Sequence, residues 1–234
     1  MIYSRRQLLG AGAAAGLLAT AAKGQTLADI VAGLKDDPSV ITPKAAVAAR
    51  PAPVPARPKV LVDPVIDSRL VARARASFDK HRRHLKHTDV VGIADFSKVS
   101  GEERFFLLDT ATGRVSRHYV SHGRGSDPGH RGYVERFSNA FGSNASSEGG
   151  YVTGDYYHGK YGRSIRLKGL DRTNDNAEAR AIVIHSAWYA EPQVIHEHGK
   201  LGRSEGCFAF SHSSHREVLA RLGPGRLLYA DKLA

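Results

Sequence analysis

The stretch VVGIADFSKVSGEERFFLLDTATGRVSRHYVS, residues 90–121, sets the character of the C-terminal part of the chain. Three short apolar runs, Val90 to Ile93, Arg104 to Leu108 and Val115 to Ser121, read as strands because Gly, Asp and Ser punctuate them. Thr110-Ala111-Thr112-Gly113 reads as the turn between the last two. Downstream the pattern continues: Gly150 to Thr153, Ser164 to Leu167, Ala181 to His185 and Phe208 to Phe210 read as strands. Ser213 to Leu222 then predicts a helix and Arg226 to Tyr229 a closing strand, so residues 88–234 are expected to form a mainly β domain with few helices.

Upstream of Val90 the period changes. Ile66, Leu70, Ala74, Phe78 and Leu85 recur at helical spacing with Arg and Lys between them, and Asp63-Pro64 looks like a helix start. Residues 63–87 are therefore expected to form an amphipathic basic helix packed on the β domain, with a surface-binding basic helix as the alternative. Residues 23–62 are rich in Ala and Pro, with Pro51, Pro53, Pro55 and Pro58 closely spaced, and read as an extended tether. In residues 1–22, Arg5-Arg6 precede an uncharged Ala/Gly/Leu run and Ala19-Thr20-Ala21 supplies small residues for cleavage, a pattern resembling a twin-arginine signal peptide. The run falls short of the ~20 strongly apolar residues of a membrane span. Export to the periplasm, with no membrane segment left after cleavage, is the expectation.

Hydrophobic residues make up 41% of the 234, enough for a packed core and against global disorder. A net charge of +11 brings nucleic acid, a membrane surface or a cell-wall polymer into consideration. No nucleic-acid motif accompanies it, and solvation of an ordinary surface is the plainer alternative. The single cysteine, Cys207, cannot form an internal disulfide, so in an oxidising compartment it is either incidental or chemically used.

Two residues stand where chemistry needs them. His185 ends the apolar strand Ala181-Ile182-Val183-Ile184, and Cys207 follows a glycine in Gly202-Arg203-Ser204-Glu205-Gly206-Cys207. The thiolate is the reactive form of cysteine, so an imidazole that takes its proton and lowers its pKa is the expected partner. These segments together resemble the signature of the YkuD-like L,D-transpeptidases, in which a histidine precedes a Ser/Thr-x-Gly-Cys turn. Asp95-Phe96-Ser97, His122-Gly123-Arg124-Gly125-Ser126, Phe137-Ser138-Asn139, Ser146-Ser147-Glu148-Gly149-Gly150-Tyr151 and Tyr157-His158-Gly159-Lys160-Tyr161-Gly162 are similar to the murein L,D-transpeptidase branch. The likeness runs from about Val90 nearly to the C-terminus.

The resemblance implies a YkuD-like β-sandwich or barrel with a few short helices, preceded by an N-terminal helix. It also implies a cysteine acyltransferase of the cell wall. Cys207 would be nucleophile and His185 general base, oriented by the Ser186 carbonyl, with the N–H groups of Gly206 and Cys207 meeting the oxyanion. Tyr151, Tyr157, Lys160, Arg163 and Arg166 become candidates for gripping diaminopimelate carboxylates, with Arg203, Ser204 and His122 beside the nucleophile loop. The partners would be donor and acceptor peptidoglycan stem peptides, the products 3-3 or 1-3 cross-links, with no cofactor or metal and a monomeric enzyme. Two positions depart from the pattern: Glu205 stands where many members have histidine, and Ala209 where Arg or Asn is usual.

Three other readings compete. His196-Glu197-His198 admits a zinc peptidase, although a lone His-x-His lacks a third ligand at recognisable spacing; the loop from Ala187 to Leu201 that carries it is otherwise expected to cap the site. Water in place of the acceptor amine would make an L,D-carboxypeptidase or amidase. A wall-binding protein without activity would leave the pairing of His185 with Cys207 without a reason.

Overall fold

Alternation along the central strands decides which side chains meet. In β2, Phe105 and Leu107 join one core while Phe106 and Leu108 join another, as the two-residue period of a strand requires. A computed structural model describes residues 66–234, so the expected signal segment, the tether and Asp63-Pro64 lie outside the described residues. Eight strands form one sheet: β1 Val90–Asp95, β2 Phe105–Asp109, β3 Val115–His118, β4 Gly149–Gly159, β5 Gly162–Gly169, β6 Val183–Ser186, β7 Phe208–Phe210 and β8 Leu227–Asp231. Their order is β3-β2-β1-β8-β4-β5-β6-β7. The two edges meet, because Ser121 beyond β3 donates its N–H to the Ala209 carbonyl of β7 at 2.8 Å. The sheet thus curls toward a barrel, mainly β with few short helices, as the sequence leads one to expect.

Helix α1, Ser68–His81, lies on the outer face. Leu70 and Ala74 are buried with Val91, Ile93, Phe106, Leu108, Leu227 and Tyr229 in one apolar layer. The Asp67 carboxylate caps the helix by accepting from Arg69 N at 2.8 Å, so the cap lies four residues beyond Asp63. The α-helix stops at His81 and a single 3-10 turn, Arg82–His84, follows. Leu85 has left the helix for extended backbone yet stays buried. Two ion pairs fasten α1 to the sheet end, Arg73 to Asp231 at 2.8 Å and Lys80 to Asp171 at 2.6 Å, across a cleft of about 650 Å³.

The inner core contains Phe96, Phe105, Tyr151, Ile165, Leu167, Ile184, Phe208 and Phe210, closed by Val218, Leu219 and Leu222 of α3, His212–Leu222. Strands β4 and β5 are longer than the apolar runs Gly150 to Thr153 and Ser164 to Leu167 suggested, and they pair as a hairpin with its tip at Gly159–Gly162. Between β6 and β7 the chain makes a 3-10 turn, Trp188–Ala190, and a short helix α2, Pro192–His198.

Candidate active site

Parallel pairing of β6 with β7 sets Ile184 beside Phe208 and His185 beside Ala209. Since Ile184 and Phe208 point into the inner core, alternation turns His185 to the other face. One further step of the same register places Cys207 beside Val183, two residues from His185. The register thus sets the segments of His185 and Cys207, which the sequence singled out, side by side.

His185 is buried, and its Nδ1 lies 2.9 Å from the Ser186 carbonyl. A carbonyl only accepts, so Nδ1 carries the proton and Nε2 keeps its lone pair. Burial holds the His185 pKa below the usual imidazole value, against the opposing pull of the Ser186 bond. The Tyr161 ring, from the β4–β5 hairpin tip, stacks on the imidazole at 4.2 Å. Ser186 Oγ also donates to the Tyr161 carbonyl, at 3.4 Å.

Cys207 is half-buried. Burial pushes the thiol up to about 11; the Val183 N–H and the Arg180 charge work against that rise, and Glu205 adds to it. At rest Sγ lies 3.7 Å from the Ala181 carbonyl and acts as its donor. Burial thus favours the neutral form of both groups in this conformation.

The turn that carries Cys207 is built by close packing. Gly206 has φ +113°, and a Cβ there would sit 2.7 Å from the Ala145 carbonyl, so only glycine fits. Gly123 packs against it, since a Cβ on Gly123 would come within 2.7 Å of Gly206 Cα. Ser204 N donates to the His122 carbonyl at 2.9 Å and Arg124 N to the Ser204 carbonyl at 2.8 Å. Inside the turn, Ser204 Oγ donates to the Cys207 carbonyl at 2.7 Å and accepts from Gly206 N at 3.2 Å. Beneath it runs a buried chain: Arg104 Nη2 lies 2.7 Å from His122 Nδ1, and His122 Nε2 lies 3.3 Å from Asp127 Oδ2. Arg104 also donates to the carbonyls of Val120 and Lys98.

Several expected substrate contacts have other occupations. Tyr151 and His122 are fully buried, so neither offers surface to a substrate; Tyr151 donates its hydroxyl to the Ser147 carbonyl, and His122 bridges Arg104 to Asp127. Ser204 is buried within the turn, and Arg203 donates to the carbonyls of Asp127 and Pro128. On the β4–β5 hairpin, Arg163 lies 4.1 Å from the Tyr156 ring and Arg166 4.4 Å from the Tyr157 ring, while Lys160 sits over Tyr161. Arg163, Arg166 and Lys160 are exposed. Glu205 is exposed and paired to Arg124 at 3.1 Å. His196 and His198 are exposed on α2, and among the described residues no three His, Cys, Asp or Glu side chains are grouped to hold a metal. Sequence reading missed Arg180 and Arg104, whose importance comes from neighbours distant in the chain.

A family model described as the L,D-transpeptidase catalytic domain matches residues 63–230. The chain belongs to that family. Among solved structures, this L,D-transpeptidase-family chain is similar to an L,D-transpeptidase from Mycobacterium smegmatis, with 13% identity over 61% of this chain and 58% of that one, TM-score 0.38. An L,D-transpeptidase from Mycobacterium tuberculosis shares 16% identity over 61% and 57%, TM-score 0.35. The helical cell shape determining protein Pgp2 from Campylobacter jejuni shares 11% over 64% and 49%, TM-score 0.39. The chain thus spans less than two thirds of each of these proteins. No curated protein matches it.

Proposed function

We propose that this protein is a peptidoglycan L,D-transpeptidase that joins stem peptides through a Cys207 thioester, with His185 as its base. The observation that carries the reading is the β6–β7 register. It sets Cys207 diagonally across from a histidine whose Nδ1 proton is fixed on the Ser186 carbonyl, so that Nε2 is free to accept. The match over residues 63–230 supports the reaction class.

Turnover begins when the Cys207 side chain rotates from the Ala181 carbonyl toward His185 and its proton passes to Nε2. The sulfur attacks the carbonyl of the donor's L-centre, and the leaving amine of the next D-residue recovers the proton from Nε2. An acceptor amine then attacks the thioester, its proton passing to Nε2 as the amide forms, and Sγ leaves as thiolate and recovers that proton. Gly206 N is held by Ser204 Oγ, so the Cys207 N–H is the main donor to the oxyanion. Arg163, Arg166 and Lys160 present cations to substrate carboxylates along the hairpin. We place the enzyme in the periplasm as a monomer, delivered by the segment containing Arg5-Arg6.

Muropeptide mass spectrometry after incubation with sacculi tests the reading. New cross-linked dimers are expected; shortened stems alone would favour hydrolysis, and unchanged muropeptides would refute both.

A further inference from the structure

Cys207 has two polar neighbours on one short segment, and they pull its proton in opposite directions. Ala181 holds φ at +55°, a left-handed conformation that costs a non-glycine residue about 1–2 kcal/mol. Its carbonyl is the acceptor for the resting thiol at 3.7 Å. A carbonyl bonds only the protonated sulfur, so this contact favours the neutral thiol. Strain of this kind persists where surrounding structure holds it, often beside reacting groups.

Arg180, one residue earlier, is half-buried. Nη1 donates to the Ser138 carbonyl at 2.9 Å and to Ser147 Oγ at 2.8 Å. Nη2 donates to the Ala145 carbonyl at 2.6 Å and to Ser143 Oγ at 3.2 Å. All four acceptors are neutral, and among the described residues no carboxylate is paired with this cation. Nη2 also lies 3.2 Å from where a Cβ on Gly206 would stand, so the charge rests against the residue before the nucleophile. Withdrawing a cation from water without a counter-ion is unfavourable. Such an arrangement suits a place where negative charge forms during turnover, because a preorganised charge then needs no reorganisation.

We infer that Arg180 is a positioning residue whose fixed cation stabilises the Cys207 thiolate, while the Ala181 carbonyl parks the thiol until His185 takes its proton. The inference rests on reading Cys207 as the nucleophile. The proton leaves Sγ for His185 Nε2, giving thiolate and imidazolium, and goes on to the leaving amine while sulfur becomes a neutral thioester. Arg180 therefore acts when sulfur is anionic, before attack and again as the acceptor expels it. Both terminal nitrogens are occupied by four acceptors, which separates Arg180 from the exposed arginines of the hairpin. The other charged or titratable groups around the sulfur are Glu205, held by Arg124 and acting in the opposite sense, His185, and the neutral phenols of Tyr151 and Tyr189.

Iodoacetamide alkylation of Cys207 in the full chain, followed against pH, reads the charge effect without requiring turnover. Arg180→Lys keeps the charge and loses most of the hydrogen bonds. Arg180→Met and Arg180→Gln lose the charge, the latter retaining some hydrogen bonding should the former not fold. The uncharged variants are expected to alkylate about tenfold more slowly below the midpoint, the midpoint moving up by about one pH unit, with the Lys variant close to the parent. Equal shifts in Lys and uncharged variants, or no shift in any folded variant, would overturn the inference. Cys207→Ala, run on sacculi in parallel, separates the two claims. Product from that variant removes the cysteine reading and the Arg180 inference with it, whereas an inert Cys207→Ala beside unshifted Arg180→Gln removes the inference alone.

Discussion

The ring of Tyr161 lies on the ring of His185, their centroids 4.2 Å apart and their planes 23° from parallel. Tyr161 is 44% exposed while His185 is almost fully covered, so the tyrosine stands between the imidazole and solvent. The Ser186 carbonyl fixes the edge of the imidazole and Tyr161 fixes its face, leaving Nε2 one direction in which to work.

Tyr161→Ala should therefore raise the His185 pKa toward the ordinary 6.5, because its lowering comes first from burial. A base works only when neutral, so activity falls as pH drops through that pKa. The parent is expected to keep kcat/KM below pH 6.5, and the variant to lose it at a higher pH. Water reaching the thioester should also increase the share of hydrolysed product. A pH–rate profile with product ratios by mass spectrometry checks both; an unmoved acid limb would mean that Tyr161 does not shield the base.

Acid should unfold the domain earlier than its carboxylates alone suggest. Burial first, and then the Arg104 charge, pull the folded pKa of His122 down to about 3, and burial pulls His215 down to about 4. These folded values lie below the unfolded value near 6.5, so the stability is present above pH 6.5 and lost as pH falls toward the folded values. Each such histidine contributes a slope of about 1.4 kcal/mol per pH unit within that window. His122→Asn should lower stability at neutral pH and flatten the dependence by about one proton. Urea midpoints between pH 7.5 and 4.5 provide the test, and an equally steep variant would exclude His122 as a contributor.

Much of this arrangement is legible from the chain alone, for a physical reason. Alternating residues such as Phe105 and Phe106 report strand faces, and a strand-ending histidine and a Gly-Cys turn mark two segments that β6 and β7 hold side by side. What escapes is whatever depends on closure of the sheet. Tyr151 looks like a substrate contact until β4 is seen to turn it inward, where its hydroxyl finds the Ser147 carbonyl. Arg104 reads as the polar start of a strand, since an arginine is seldom fully buried without partners. Its partners, the carbonyls of Lys98 and Val120 and the ring of His122, converge only in the folded domain. The left-handed backbone of Ala181 has no local sequence signal at all.

Gly206→Ala tests the turn itself. The added methyl would meet the Ala145 carbonyl at 2.7 Å and Ile182 Cδ1 at 2.9 Å, on backbone already at φ +113°. A loss of about 1–3 kcal/mol in stability is expected from strain of this kind. Displacing Sγ by about 1 Å should reduce kcat about a hundredfold. Chemical denaturation and turnover measured on one preparation check the two effects, and full activity in a folded variant would show that the turn tolerates a side chain.

The last prediction concerns Glu205 and His185 together. Glu205 and Arg124 are both exposed, at 71% and 56%, so their 3.1 Å pair adds little to stability and Glu205→Gln should leave the unfolding midpoint nearly unchanged. The field of the carboxylate still reaches the sulfur, where it raises the thiol pKa. Neutralising Glu205 should move the alkylation midpoint of Cys207 downward, and Arg124→Gln, by leaving the carboxylate without its cation, should move it upward. Both shifts should shrink in 1 M salt, which screens exposed charges separated by more than about 3 Å. His185→Asn should behave differently in kind: the resting thiol bonds the Ala181 carbonyl, and burial keeps the imidazole neutral, so its removal should abolish turnover while leaving the alkylation midpoint close to the parent's. A large upward shift in His185→Asn would restore the resting thiolate–imidazolium pair. A shift in Glu205→Gln that persisted in 1 M salt would mean that the carboxylate acts by direct contact rather than through its field.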